Sequence, residues 1–144
     1  MQVILEKVDS AEQENAVIKA VTETDDIKAA VEILEGGTRK IPLIKDSKTV
    51  LLEVNFIYYI ESVDKKTFVY TKDDCFESKL RLYELEETLG TFFLRISKSM
   101  IVNLKKIKAV KSDLSGRMEA TMLNGEKIMI SRSYVKEIKR RLDL

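Results

Sequence analysis

A stretch of alternating polar and apolar residues runs from Phe93 to Ile107 and carries the side chains best suited to chemistry. Its apolar positions can anchor a loop, while the hydroxyl, amide and cationic groups between them can reach phosphate oxygens and base edges. The polar members are Arg95, Ser97, Lys98, Ser99, Asn103, Lys105 and Lys106. The pattern favours a nucleic-acid contact, although serine and asparagine also serve turns and helix caps.

Two of these side chains could have a structural role instead of a DNA-binding one. Arg95 is as well suited to pairing with a carboxylate, and Asn103 to satisfying the backbone of a turn. Lys98 lies between the apolar anchors with no partner at a periodic spacing, which favours a binding role. The alternatives for Arg95 and Asn103 stay open at the level of sequence.

Most enzyme chemistry is excluded by what the chain lacks. Histidine is absent and cysteine occurs once, at Cys75, so Ser-His-Asp, Cys-His and HExxH sites cannot be built. A hydrolase would have to use carboxylates such as Glu84, Glu86 and Glu87, whose spacing indicates a solvated helix face. We therefore expect a protein that is not an enzyme, with no catalytic residue, metal or cofactor.

The charge is divided unequally along the chain. Residues 1–94 hold 12 Lys and Arg against 19 Asp and Glu, a net of −7, whereas residues 95–144 hold 13 against 5, a net of +8. A basic half of this size can neutralise several phosphates and release their counterions, which gives affinity for nucleic acid. The alternative is an interaction module that binds an acidic protein or a membrane surface through the same half.

The first 37 residues differ from the rest. Short apolar runs at Gln2–Lys7 and Ala16–Val21 suggest two strands, and Thr24 is placed to cap a helix from Asp25 to Glu35. The apolar stripe of this helix would contain Ile27, Ala30, Val31 and Leu34. Gly36-Gly37 would end the helix, so we expect an acidic α/β segment at 1–37, with a net charge of −6, and a second domain at 38–144.

From Lys40 onward, short β-branched and aromatic runs alternate with turn residues, which predicts a mainly β domain. Turns are expected near Asp46, Asp64, Asp73 and Ser115-Gly116, and the strongest one, Asn124-Gly125, predicts a two-residue type I′ hairpin. Two helices interrupt the strands, at about Leu80–Leu89 and from Ser131 or Ser133 to Leu142. Glu137 could complete a capping box in the second helix.

The outer face of the last helix is basic. It comprises Lys136, Lys139, Arg140 and Arg141. Cations at a helix C-terminus also complement the helix dipole, so a purely structural role is an alternative for this face.

Three motifs resemble those of LytTR-type DNA-binding domains. Phe93 to Ile107 resembles the family pattern F-x-R-x-x-[KR]-S-x-[IV]-V-N-x-x-x-I, and Asn124 to Ile138 resembles the closing pattern N-G-x-x-[IV]-x-[IV]-S-R-x-Y-x-x-x-[IL]. Upstream, Ile57 to Ser62 resembles the strand motif I-x-[YF]-[IF]-E-[SA]. The resemblance spans about Arg39 to Leu142.

The resemblance implies an elongated β fold of small packed antiparallel sheets whose loops enter successive major grooves of bent DNA at paired direct repeats. The family's base-contacting places fall near Lys66 and Thr67, at Lys98, and at Ser133 beside Arg132. Many relatives have histidine where this chain has Ser97, which implies a changed contact rather than lost binding. The predicted DNA-binding residues are Lys65, Lys66, Thr67, Arg95, Ser97, Lys98, Ser99, Asn103, Lys105, Arg132, Ser133 and Lys136.

The resemblance also bears on regulation. The 37 residues before the boundary are too few for a receiver domain, so we expect a standalone bacterial transcriptional regulator that forms a homodimer. Standalone members often work beside a small membrane protein encoded next to them, which is a candidate partner here. The longest apolar run, Val50–Ile60, contains Glu53 and Asn55 and is far shorter than the roughly 20 residues of a membrane span. With no signal-peptide pattern, a cytoplasmic location is expected.

Overall fold

The structure is a computed structural model that describes residues 1–34 and 39–144. The chain divides into two units, residues 1–37 and 38–144. No helix in the described ranges is long and apolar enough to cross a bilayer.

The first unit contains a short 3-10 turn at Ala11–Gln13 and one helix, α1, at Asp25–Leu34. Thr24 caps α1, since its hydroxyl accepts a hydrogen bond from the backbone N–H of Ile27 at 3.3 Å, as predicted. The prediction of an α/β segment is wrong for residues 1–34, because neither Gln2–Lys7 nor 16–21 forms a strand. These runs have the composition of strands but no ladder partner for their backbone groups.

The predicted apolar stripe of α1 is only partly buried. Ile27, Ala30 and Val31 are half-buried, Leu34 is exposed, and the buried residue of this helix is Ala29. The predicted helix end at Glu35 and the Gly36-Gly37 boundary lie outside the described residues.

The second unit is mainly β, as predicted. Its elements are β1 (Lys40–Lys45), β2 (Lys48–Glu53), β3 (Tyr59–Val63), β4 (Lys66–Tyr70), β5 (Cys75–Ser78), α2 (Leu82–Thr88), β6 (Phe93–Ser97), β7 (Met100–Asn103), β8 (Ile107–Ser112), β9 (Met118–Met122), β10 (Lys127–Ile130) and α3 (Arg132–Arg141). One sheet has the order β2-β1-β5-β4-β3-β7-β6 and the other the order β10-β9-β8. All strand pairs are antiparallel.

The seven-stranded sheet is covered on its two faces by two separate cores. Leu82, Leu85 and Leu89 of the α2 segment pack on one face, against residues that include Ile101. Val102, the next residue of β7, belongs to the second core. Because successive side chains of a strand point to opposite faces, β7 is buried on both faces of the sheet.

The second core joins the small sheet and α3 to the large sheet. Its members fully removed from solvent include Ile96, Met118, Ile130 and Ile138. Burying a side chain of this size stabilises a fold by about 1.5–3 kcal/mol. This core therefore fixes α3 alongside β6, and the position of α3 matters for the site described below.

The one hairpin turn whose type was predicted differs from that prediction. Asp46-Ser47 and Asp64-Lys65 are two-residue turns with positive φ at both positions, the geometry of type I′. The hairpin at Asn124-Gly125 is present, but only Gly125 has positive φ, at 90°. Met122 and Glu126 flank a three-residue loop in which the N–H of Gly125 donates to the carbonyl of Met122 at 2.9 Å. The two-residue type I′ prediction is therefore wrong at this turn.

The two predicted helices of this unit are present with slightly shorter bounds. The capping box predicted for α3 is wrong: the N-cap is Ser131, whose side chain makes no capping hydrogen bond. Glu137 instead accepts from the guanidinium of Arg140, whose Nε lies 3.0 Å from Oε2. This hydrogen bond lowers the pKa of Glu137. A capping box needs its acid three residues after the cap, and Glu137 lies six residues after Ser131.

Candidate nucleic-acid interface

The β3–β4 turn and the β6–β7 turn lie side by side at one end of the large sheet. β3 pairs antiparallel with β7, with Glu61 opposite Met100, so the residues that follow Glu61 meet the residues that precede Met100. The N–H of Ser62 donates to the carbonyl of Ser99 at 2.8 Å. Two segments predicted from separate parts of the sequence, 65–67 and 97–99, are therefore adjacent.

A β-bulge at Ile96 brings the start of α3 to the same end. Arg95 pairs with Ile101 and Ser97 with Met100, which leaves Ile96 as the extra residue of β6. Its carbonyl accepts a hydrogen bond from the N–H of Ser131 at 2.8 Å. Bulges commonly redirect a strand next to a functional site, and this one ties the β6–β7 turn to the first turn of α3.

The other end of α3 is fixed near the start of β6. Nη2 of Arg141 donates to the carbonyl of Thr91 at 2.6 Å. α3 therefore runs alongside β6 and presents its N-terminal residues beside the turn. Arg132, Ser133 and Lys136 of this first part are all exposed.

The lysines of the two turns are also exposed. Lys65 has φ of 66° at the tip of the β3–β4 turn, and Lys66 follows it as the first residue of β4. Lys98 is exposed at the tip of the β6–β7 turn. No hydrogen bond or ion pair of their ammonium groups is found within residues 1–34 and 39–144. Thr67 differs, because it is 5% exposed, so little of its side chain is available for the predicted DNA contact.

The side chains around Lys98 hold the backbone of its turn. Nη1 of Arg95 donates to the carbonyl of Lys98 at 2.7 Å, and Nε of Arg95 pairs with the carboxylate of Glu86 on α2. The hydroxyl of Ser97 accepts from the N–H of Ser99 at 3.2 Å. Arg95 therefore positions the turn, which is the carboxylate-paired alternative that the sequence left open.

Asn103 does not belong to the exposed site. It is 2% exposed, its Nδ2 donates to the carbonyl of Ile57 at 2.8 Å, and its Oδ1 accepts from the N–H of Lys105 at 3.0 Å. Both ends of the amide are used to satisfy the backbone. The predicted DNA contact is wrong for Asn103, and its structural alternative holds.

The structure places Lys105 away from the other predicted DNA-binding residues. It follows the C-terminal end of β7, whereas the β6–β7 turn lies at the N-terminal end. Its ammonium group lies 4.1 Å from the centroid of the Phe92 ring, a cation–π distance. The sequence placed Lys105 in the same motif as Lys98, but an intervening strand separates the two side chains.

The β8–β9 turn supports the start of α3. A Cβ built on Gly116, whose φ is +86°, would lie 3.0 Å from Cδ of Arg132, so the arginine stem lies against this turn. Asp113 organises the turn by accepting from the hydroxyl of Ser115 at 2.6 Å and from the N–H of Arg117 at 3.1 Å. The Ser115 hydrogen bond is the main cause of a lowered pKa of Asp113.

Sequence reasoning missed the start of α2. An open groove of about 250 Å³ lies between the two turns and this helix. Its lining residues are Ser62, Lys65, Thr67, Arg81, Leu82, Tyr83, Arg95, Lys98 and Ser99. Arg81 and Tyr83 gave no signal in the sequence, because their approach to Lys98 depends on strand register.

A family model and several known proteins are similar to this chain. A family model described as the LytTr DNA-binding domain matches residues 47–143. An uncharacterized HTH-type transcriptional regulator of Staphylococcus aureus (strain NCTC 8325) is 33% identical over 99 residues, which are 69% of this chain and 67% of the relative. Its counterpart in strain MRSA252 is 32% identical over the same shares.

A solved structure is also similar. It is described as the LytTr DNA-binding domain of a methyl-accepting/DNA response regulator from Bacillus cereus. The TM-score is 0.70 at 29% identity, and the match covers 75% of this chain and 100% of that chain.

Proposed function

This chain belongs to the LytTr DNA-binding domain family, and we propose that it is a sequence-specific transcriptional regulator that reads the major groove through its β3–β4 turn, its β6–β7 turn and the start of α3. The relatives named as transcriptional regulators support a regulatory role. Their names describe them as HTH-type, but in the described part of this chain α2 ends at Thr88 and α3 begins at Arg132. A short-turn helix pair is therefore not the element that we assign to DNA reading.

The observation that carries the proposal is the convergence of three polar segments on one end of the domain. Ser62 bonds to Ser99 and Ser131 bonds to Ile96, both at 2.8 Å, so the three segments share one rigid support. The major groove is about 12 Å wide and admits a helix or a two-stranded hairpin. A hairpin tip with exposed Lys98, flanked by the exposed start of α3, meets that requirement.

We assign base-edge contacts to Lys66, Lys98 and Ser133, with Arg132 beside them. Lysine donates to the acceptors of guanine and a serine hydroxyl can serve either kind of base. Ser97 would supply a hydroxyl where many relatives present an imidazole. Lys65, Ser99 and Lys136 would contact phosphate or sugar, since such contacts position a protein without specifying sequence.

We propose that two copies act together on paired direct repeats, each copy reading one repeat. The acidic segment 1–37 would either mediate this self-association or contact a membrane protein encoded beside the regulator, with the regulator in the cytoplasm. Deletion of residues 1–37 followed by sedimentation analysis tests the first role. Unchanged self-association would argue against it.

Fluorescence anisotropy tests the main proposal. The labelled duplexes are the region upstream of the protein's own gene and a scrambled sequence of the same composition, each at two salt concentrations. We expect tighter binding to the upstream duplex, and a loss of about tenfold in Lys98→Ala, since a groove contact is worth about 1–3 kcal/mol.

Lys48→Ala is the matched control. Lys48 is exposed and begins β2 at the β1–β2 turn, which register places at the opposite end of the sheet from Lys98. The control should bind like the wild type. Equal binding to both duplexes, unaffected by Lys98→Ala, would leave only a basic surface and would favour the interaction module described above.

A further inference from the structure

We propose that the groove between the β3–β4 turn, the β6–β7 turn and the start of α2 binds one phosphate group of the DNA backbone, with Arg81 and Tyr83 as contacts outside the base-reading segments. This inference rests on the proposed function but adds α2 to the interface. It also assigns a role to residues that the three predicted segments do not include.

The charge of the groove selects an anion. Lys65, Arg81, Arg95 and Lys98 contribute cations, and no carboxylate is among its lining residues in the described chain. Glu86 is not among these lining residues and forms an ion pair with Arg95. Three cations remain around one open volume, which is a strong local attraction for a phosphate.

The groove also carries hydroxyl donors suited to phosphate oxygens. Ser62 and Ser99 line it from the two turns, and Tyr83 lines it from α2 and is 61% exposed. Serine and tyrosine hydroxyls are regular partners of backbone phosphates. A volume of about 250 Å³ is several times the roughly 30 Å³ that a water molecule occupies in the liquid, so a phosphate group can enter.

The backbone around the groove is held in place before any ligand binds. The N–H of Arg81 donates to Oε1 of Glu84 at 3.3 Å, and the N–H of Leu80 donates to the hydroxyl of Ser78 at 3.0 Å. Leu82 is 6% exposed and anchors the first turn of α2 in the core. A preorganised backbone reduces the entropy lost on binding.

The position of the groove favours a phosphate over a base. Lys98 stands at the tip of its turn, whereas Arg81 precedes a helix that packs on one face of the sheet. When the tip enters the major groove of DNA, a residue set back from the tip meets the sugar–phosphate backbone that borders the major groove. Arg81 should therefore fix the register of the domain on DNA without reading sequence.

The test compares wild type, Arg81→Gln and Arg81→Lys on the upstream and scrambled duplexes over a series of salt concentrations. Arg81→Gln should weaken binding to both duplexes by the same factor, about tenfold. The slope of log K against log salt should become shallower by about 0.9, the value for one phosphate contact on B-DNA. Arg81→Lys keeps the charge and should keep most of the slope.

Two outcomes would overturn the assignment. They are an unchanged slope in Arg81→Gln and a loss confined to the upstream duplex, which would make Arg81 a base contact. Displacement of the duplex by inorganic phosphate beyond that by chloride at equal ionic strength, abolished in Arg81→Gln, would support a phosphate site in the groove.

A different result would contradict the proposed function, namely equal affinity of the wild type for the two duplexes. The change in salt slope caused by Arg81→Gln could still be interpreted in that case. Tyr83→Phe gives a second variant, because it removes only the hydroxyl and should weaken both duplexes equally. Thermal melting of each variant checks that the fold is intact.

Discussion

The two ends of the seven-stranded sheet carry similar residues in different surroundings. At the end that includes the β1–β2 turn, Nζ of Lys45 lies 2.5 Å from the carboxylate of Asp74. Lys105 and Lys106 lie 4.1 and 5.4 Å from the ring centroids of Phe92 and Tyr58. At the other end, Lys65 and Lys98 line an open groove.

The difference shows that neither the residue type nor the local sequence motif decides the role of a lysine. A cation over an aromatic face, or next to a carboxylate, has a local partner that stabilises the fold by a modest amount. A cation that lines a groove with other cations is repelled by its neighbours until an anion enters. Only the second arrangement leaves cations available to an anion such as a DNA phosphate.

The largest expected effect compares two double variants that remove the same charge from opposite ends. Lys65→Ala with Lys98→Ala should weaken binding to the upstream duplex by about a hundredfold, because two DNA contacts are lost. Lys105→Ala with Lys106→Ala should change it by about twofold or less. Anisotropy at one fixed salt concentration measures both, and equal losses would mean that net charge alone drives binding.

A smaller effect concerns stability rather than affinity. Asn103→Ala leaves the carbonyl of Ile57 and the N–H of Lys105 without their partner, so the free energy of unfolding should fall by about 1–3 kcal/mol. Urea denaturation measures this loss. The fraction that remains folded should bind the upstream duplex like the wild type.

The matched control for Asn103 is Ser99→Ala. Ser99 is exposed, and a surface substitution of this kind changes stability by about 0.5 kcal/mol or less. If Asn103→Ala instead reduced affinity while stability was retained, the buried amide would have to be reached by DNA, contrary to its hydrogen bonds.

The smallest expected effect is a pH dependence at the turn that supports Arg132. The hydroxyl of Ser115, with backbone N–H groups, lowers the pKa of Asp113 below its ordinary value of 3.8. Because the pKa of Asp113 is lower in the folded protein, its ionised carboxylate stabilises the fold at pH values above 3.8. This stability is lost as the pH falls from 3.8 through the pKa of the folded state. The difference in Tm between wild type and Asp113→Asn should therefore shrink on acidification below that pH.

Thermal melting between neutral and acidic pH measures the Asp113 contribution. A difference in Tm that stays constant over the whole range would contradict it. Arg140→Ala is a useful comparison, because Arg140 lowers the pKa of Glu137 in the same direction at a site away from this turn.

Much of the fold was predictable because short-range signals dominate it. Alternating apolar residues identified the β domain, and the turn residues at Asp46, Asp64, Ser115 and Asn124 marked its hairpins. The two helices of the β domain were found within about two residues of their ends. The turn type at Asn124-Gly125 was not predictable, since loops of two and three residues accept the same residue pair.

Other features depended on tertiary contacts. The apolar runs before Val21 suggested strands, but a strand exists only where another chain segment pairs with it. Asn103 and Lys98 lie in one motif, and only the position of β7 between them separates a buried structural amide from an exposed cation. Arg81 and Tyr83 reach the groove through the path from β5 into α2, which sequence spacing does not reveal.

The support of the β6–β7 turn has a consequence for how this protein can diversify. Its carbonyls at Lys98 and Ser99 are held by Arg95 and by the N–H of Ser62, neither of which depends on the side chain at position 98. These two hydrogen bonds therefore do not depend on which side chain stands at the tip. If Lys98 reads the operator as proposed, a substitution at position 98 changes the base contact while both hydrogen bonds of the turn are kept.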